Sequence, residues 1–241
     1  MAERTKILGV GFDTLTMDEA VAEALRLLRE GGRHYICTPN PEIVMDAQRD
    51  KDLMGILRGA DLVLPDGVGV VWASKYTRRP ITERVAGYDF TQRLLDKLKY
   101  TDETVYFFGA APGVAAAAAR KMERTHPGLK VAGVHNGYFD AQEEKKIIKE
   151  LRDLQPSLLL VGLGAPKQEK WIYENQRLIN VPLCIGIGGS FDVMAGNVKR
   201  APVLFQKLGL EWLYRLLSQP KRIFRMAKLP RFVFAVLRSK G

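Results

Sequence analysis

Leu158-Leu159-Leu160-Val161-Gly162-Leu163-Gly164-Ala165-Pro166-Lys167-Gln168-Glu169 decides the fold of this 241-residue chain. Its apolar run from Leu158 to Val161 has the length of a strand covered on both faces. The glycines and proline that follow stop the strand, and a helix begins at Lys167. Outward from it, His34 to Cys37, Asp61 to Leu64, Val105 to Phe108, Leu129 to Val134 and Leu183 to Ile187 are runs of the same kind. They alternate with helical patterns at Tyr88 to Leu98, Pro112 to Thr125 and Ala141 to Leu154. Such alternation predicts βαβ units: an α/β, Rossmann-like, mainly parallel sheet with helices on both faces.

Thr16 and Glu19 stand at capping-box spacing before Ala20, Val21, Ala24, Leu25 and Leu28, and Gly31-Gly32 ends the run, which marks the first helix. The residues ahead of it are read as a short lead-in without the apolar stretch of a signal peptide, so the expected compartment is the cytoplasm. Residues 1–198 are assigned to the Rossmann-like core and 199–241 to a basic, helical appendage in which Ala201-Pro202 breaks the pattern and Leu208 to Leu217 reads as a short helix.

The charge belongs to that appendage. Residues 199–241 hold eleven Lys and Arg and one acid, Glu211, so they account for the whole formal charge of +10 and leave the body neutral. A terminal basic arm implies an anionic partner: phosphate, anionic lipid or nucleic acid. Its cations interleave with Trp212, Tyr214, Phe224, Phe232 and Phe234, which suits a segment lying at a membrane interface. An amphipathic helix packed on the body, or a grip on single-stranded nucleic acid, would use the same ingredients. No stretch approaches the roughly 18 apolar residues of a membrane span. Cys37 and Cys184 lie far apart in apolar runs and read as buried small hydrophobes, so neither a disulfide nor a metal site is expected.

In a parallel sheet, ligands bind beyond the carboxyl ends of the strands. The residues there are Thr38-Pro39-Asn40-Pro41-Glu42, Pro65-Asp66-Gly67-Val68-Gly69, Gly109-Ala110-Ala111-Pro112-Gly113, Gly162 to Glu169, and Gly188-Gly189-Ser190-Phe191-Asp192. Asp66, in a rigid turn, is the first choice for a general base that takes a proton from an attacking hydroxyl; the competing reading is a turn or N-cap carboxylate. Gly109 at a strand-to-helix turn admits a phosphate or is needed for sterics. The spacing is not that of a dinucleotide fingerprint, which argues against an NAD-dependent oxidoreductase. Arg84 either grips a diphosphate or pairs on the surface with Glu83 or Asp89. Gln168 either bonds a sugar hydroxyl or uracil edge or is a solvated helix start. Asp192 either holds a ribose or sugar amide or caps the next element.

Taken together, the Thr38–Glu42, Leu64–Gly69, Arg84–Gly87, Gly162–Glu169 and Gly188–Asp192 motifs resemble those of the WecG/TagA/CpsF glycosyltransferase family, in order and over nearly the whole chain. The likeness is strongest to the branch that builds the wall teichoic acid linkage unit. It implies inverting, metal-independent transfer of N-acetylmannosamine from UDP-N-acetylmannosamine to N-acetylglucosamine on undecaprenyl diphosphate, with no cofactor. It further implies Asp66 as base, Thr38, Asn40, Arg84 and Gln168 in the substrate pocket, and appendage arginines, best matched by Arg215, Arg222 and Arg225, that complete the site. A peripheral position on the inner face of the cell membrane and self-association into a homo-oligomer also follow from the resemblance, and nucleic acid is not among the implied partners.

Overall fold

The computed structural model describes residues 4–218 and 226–239. The chain opens with a hairpin, β1 (Arg4–Ile7) and β2 (Val10–Asp13), paired antiparallel through Ile7 and Val10. Its two loop residues, Leu8 and Gly9, have φ of 47° and 82°, the left-handed pair that matches the twist of a two-residue hairpin. By sequence alone this stretch reads only as a lead-in to the first helix.

Six further strands form one parallel sheet: β3 (His34–Cys37), β4 (Leu62–Val63), β5 (Thr104–Gly109), β6 (Lys130–His135), β7 (Leu158–Gly162) and β8 (Leu183–Gly186), in the spatial order β4-β3-β8-β7-β5-β6. Each coincides with an apolar run of the sequence. Side chains alternate across the sheet: Leu158 and Leu160 enter one core, Leu159 and Val161 the other. The first core is closed by α1 (Met17–Glu30), α5 (Gly87–Leu98), α6 (Val114–Thr125) and α9 (Ser190–Ala195). The second is closed by α2 (Pro41–Ala47), α3 (Lys51–Gly59), α4 (Val68–Ser74), α7 (Ala141–Leu154) and α8 (Lys167–Ile179), together with the hairpin. The capping box at α1 is formed in both directions: Thr16 Oγ1 accepts from the Glu19 N–H, and Glu19 Oε2 accepts from the Thr16 N–H.

Asp13 explains why the hairpin lies where it does. Its buried carboxylate accepts from Arg4 Nε at 3.1 Å and from the Val63 N–H at 2.7 Å. Val63 belongs to β4, the edge strand, so the hairpin satisfies and covers an edge that would otherwise be open to pairing.

The appendage contributes α10 (Val203–Lys207), α11 (Glu211–Ser218) and α12 (Lys228–Arg238). The boundary at 198/199 marks a change in sequence character across which packing continues. Phe232 and Val236 of α12 are 1% and 5% exposed and share the core of Tyr35, Val44 and Val70. On the other side of the same helix Val233, Phe234 and Leu237 are exposed. No helix among the described residues is long and apolar enough to cross a membrane.

Candidate active site

A cleft of about 800 Å³ lies over the carboxyl ends of four neighbouring strands, β4, β3, β8 and β7. Thr38, Asn40, Asp66, Arg84, Gln168, Gly188 and Gly189 all line it. Residues from α11 and α12, among them Glu211, Trp212, Leu229 and Phe232, wall its open side.

Close backbone approach brings the turns together. Gly69 packs on Pro41: a Cβ there would stand 2.7 Å from Pro41 Cγ, so the turn after β4 can press against the turn after β3 only as glycine. Gly87 does the same at the start of α5, where a Cβ would come within 2.9 Å of Thr38 Oγ1. Thr38 Oγ1 donates to the Gly186 carbonyl at 3.4 Å, and Asn40 Oδ1 caps α2 by accepting from the Ile43 N–H at 3.1 Å. Capping uses the Asn40 oxygen and leaves its amide N–H groups as the part of that side chain that can meet a ligand.

Asp66 is half-buried on the cleft wall, and α4 behind it starts at Gly67, φ 102°, with no side-chain cap. Gln168 is not a solvated helix start: it is 3% exposed, its Oε1 accepts from the Gly188 N–H at 2.9 Å, and its Nε2 donates to Glu169 Oε1 at 2.8 Å.

Four helices, α4, α5, α8 and α9, begin at this cleft, at Gly67, Ala86, Pro166 and Gly189, and none carries a side-chain cap. Their first backbone N–H groups and the positive ends of their dipoles converge on one cavity. That arrangement favours a multiply charged anion.

The charged side chains are paired across the cleft mouth. Arg84 Nη2 lies 3.0 Å from Glu211 Oε2 of α11. Arg200 Nη2 lies 2.5 Å from Asp89 Oδ2 and 3.8 Å from Glu211 Oε1, with its guanidinium carbon 5.0 Å from the Tyr88 ring centroid. Neither surface partner expected for Arg84 takes it: Glu83 accepts from the Met17 N–H at 3.1 Å, and Asp89 holds Arg200. Lys228 of α12 holds Asp46 of α2 through both carboxylate oxygens, at 2.6 and 2.8 Å. Arg200, Lys228 and Glu211 were not among the residues picked from sequence. The signal for Glu211 was present, as the one acid of a basic tail. A carboxylate on Arg84 occupies the guanidinium that an incoming phosphate would use. Glu211→Gln is therefore expected to tighten binding of a diphosphate anion by about three- to tenfold in calorimetry with pyrophosphate, since a pair of this strength is worth on the order of 1 kcal/mol; unchanged affinity would mean that the pair and the anion do not compete.

Two sequence candidates fall outside the cleft lining. Gly109 ends β5, the strand beyond β7, and a Cβ on it would lie 2.5 Å from the Gly162 carbonyl, so close packing between β5 and β7 accounts for this glycine. Asp192 sits within α9, where its carbonyl accepts from Gly196 and Val198, and it is not a lining residue. Arg222 and Arg225 lie outside the described residues. Arg215 belongs to α11, and its side chain lies outside what the structure describes. Both cysteines are buried and free, and burial pushes the Cys184 thiol up to about 12.

Residues 5–241 match the model of the glycosyl transferase WecG/TagA/CpsF family. The chain is 41% identical over 206 residues to an N-acetylglucosaminyldiphosphoundecaprenol N-acetyl-beta-D-mannosaminyltransferase of Bacillus spizizenii, covering 86% of this chain and 79% of that protein. It is 33% identical over 239 residues to the protein of the same name from Staphylococcus aureus strain MW2, covering 98% and 93%. A parallel sheet with its cleft over the strand ends, the ordered motifs that line that cleft and a family match over nearly the full length lead to one conclusion: this chain belongs to the WecG/TagA/CpsF glycosyltransferase family.

Proposed function

We propose that the protein transfers N-acetylmannosamine from UDP-N-acetylmannosamine to the N-acetylglucosamine of a polyprenyl-diphosphate acceptor, working as a peripheral enzyme on the cytoplasmic face of the membrane. The observation that carries this reading is the convergence of four uncapped helix starts and Arg84 on a cleft that also holds a turn-borne carboxylate. The helix ends and the arginine bind and neutralise the diphosphate of the donor and of the departing UDP. No resident cofactor or metal is called on for that step. Asp66 accepts the proton of the acceptor hydroxyl as its oxygen attacks the anomeric carbon, and the C1–O bond to UDP breaks on the opposite face. Transfer with inversion needs a single displacement of this kind and no enzyme-bound sugar.

The acceptor side of the cleft supports the same reading. Ile43, Met226, Leu229, Phe232 and Val233 make its arm between α2 and α12 apolar, with Arg49 and Lys228 beside them. Such a lining suits the first isoprene units of a lipid and its diphosphate. The outward residues of α12, Arg231, Phe234, Leu237 and Arg238, add a basic and apolar surface next to that arm, as an interfacial helix requires. Two free thiols fit a reducing compartment.

The test is UDP release from a panel of UDP-sugars, with and without a short-chain polyprenyl-diphosphate N-acetylglucosamine. Acceptor-dependent release from UDP-N-acetylmannosamine alone is expected. Release with a uronic acid or glucose donor instead would replace the sugar named here, and silence across the panel would reject the reading.

A further inference from the structure

Among the described residues, Glu169 Oε2 is the one buried side-chain polar atom without a hydrogen-bond partner. Glu169 lies in the first turn of α8, 3% exposed, behind the cleft wall rather than on it. Burial pushes its carboxyl above the usual carboxylate range, and the hydrogen bond from Gln168 opposes that rise. A carboxyl group in such a position is unfavourable in isolation. Nothing in the proton-transfer or leaving-group chemistry uses it, so its contribution must lie in what its one bonded oxygen holds.

That oxygen holds Gln168. The Gln168 amide accepts from the Gly188 N–H through Oε1 and donates to Glu169 Oε1 through Nε2. Turned over, the amide would set its NH2 against the Gly188 N–H and its oxygen against Glu169 Oε1, a donor facing a donor and an acceptor facing an acceptor. Space restricts it further: a Cβ on Gly186 would stand 2.7 Å from Gln168 Nε2, so the amide lies flat on the bare end of β8. With these two bonds made inside the protein, one Nε2–H is left for the cavity that Gln168 lines.

We propose that Glu169 is a positioning residue, whose Oε1 fixes the Gln168 amide so that its remaining N–H faces the cleft as a donor and the Gly188-Gly189 turn is held for the sugar nucleotide. The inference rests on the reading of the cleft as a UDP-sugar site. Glu169 acts only through Gln168, and the contact it orients exists in ground and transition states alike. Its loss should therefore raise KM for the donor and leave kcat nearly unchanged.

Two variants separate the possibilities. Glu169→Gln keeps an acceptor oxygen beside Gln168, whereas Glu169→Leu removes it. In steady-state kinetics with UDP-N-acetylmannosamine, Glu169→Leu is expected to raise KM about tenfold with kcat within about twofold, and Glu169→Gln to stay within about threefold of the parent in both. Nitrogen-15 labelling of glutamine supplies a readout on the unmutated protein without substrate: of the two Gln168 side-chain NH2 protons, the one bonded to Glu169 Oε1 should be protected from solvent exchange and the one facing the cleft should not. That spectrum, with Glu169→Gln, carries the test if Glu169→Leu does not fold. An unchanged KM in Glu169→Leu overturns the proposal, as does equal damage in Glu169→Gln or rapid solvent exchange of both Gln168 amide protons in the parent. A parent that shows the held amide but turns over no UDP-sugar fails the reading of function and leaves the role of Glu169 standing.

Discussion

Asp66→Asn is expected to lower turnover by about 10²-fold or more while UDP affinity stays within about twofold, as loss of a general base requires. Asparagine is isosteric with aspartate, so the turn between β4 and α4 is kept. The backbone position in that turn with positive φ is Gly67, at 102°, not residue 66. What disappears is the ability to accept a proton. Acceptor-dependent UDP release measures turnover, and calorimetry with UDP measures binding to the helix starts and Arg84 that line the same cleft. Near-normal turnover would remove Asp66 from the base role, and a parallel loss of UDP binding would make it a binding residue instead.

The second large effect belongs to α12. Phe232→Ala is expected to release this helix from α2 and α4, with transfer falling tenfold or more and UDP binding retained. Truncating a buried phenylalanine costs about 3–5 kcal/mol. The whole domain has stability on the order of 5–15 kcal/mol. Loss of docking is thus the cheapest response, because α12 packs on α2 and α4 and contributes no strand, so it can separate while the sheet stays folded. Hydrogen exchange over Lys228–Arg238 should rise to that of an undocked helix, and the exchange of β7 and β8 should hardly change. Deleting residues 200–241 should abolish transfer as well. It should also lower the melting temperature, since Phe232 and Val236 complete the core that contains Val44 and Val70. Normal transfer by either variant would show that the appendage is not part of the working site.

The six parallel strands were legible because each is a short, uninterrupted apolar run, and burial on both faces demands such a run wherever the strand falls in the sheet. The hairpin was not, since four-residue strands carry too little alternation and Leu8 at positive φ is not a residue that announces a turn. Of the cleft lining, Thr38, Asn40, Asp66, Gln168, Gly188 and Gly189 were legible, because a glycine-rich or polar segment after a strand has to emerge at the ligand-binding end of a parallel sheet, and Arg84 was legible from its place before a helix start. Gly109 was read by the same rule, but its strand lies one place too far along the sheet. Strand order is not local information.

By itself the sequence determined the fold class, the ordered motifs and the separation of a neutral body from a basic tail, since these follow from local periodicity and from counting charge. Only the tertiary structure decided that α12 is half core and half surface, that Glu211 answers Arg84, that Arg200 joins the cleft mouth, and that Glu169 sits buried behind Gln168. Each of these is a pairing between residues adjacent only in space. Arg84 and Glu211 are separated along the chain by four of the six strands of the sheet, β5 to β8. Their 3.0 Å contact exists because the strand order β4-β3-β8-β7 closes that distance, and no local pattern carries it.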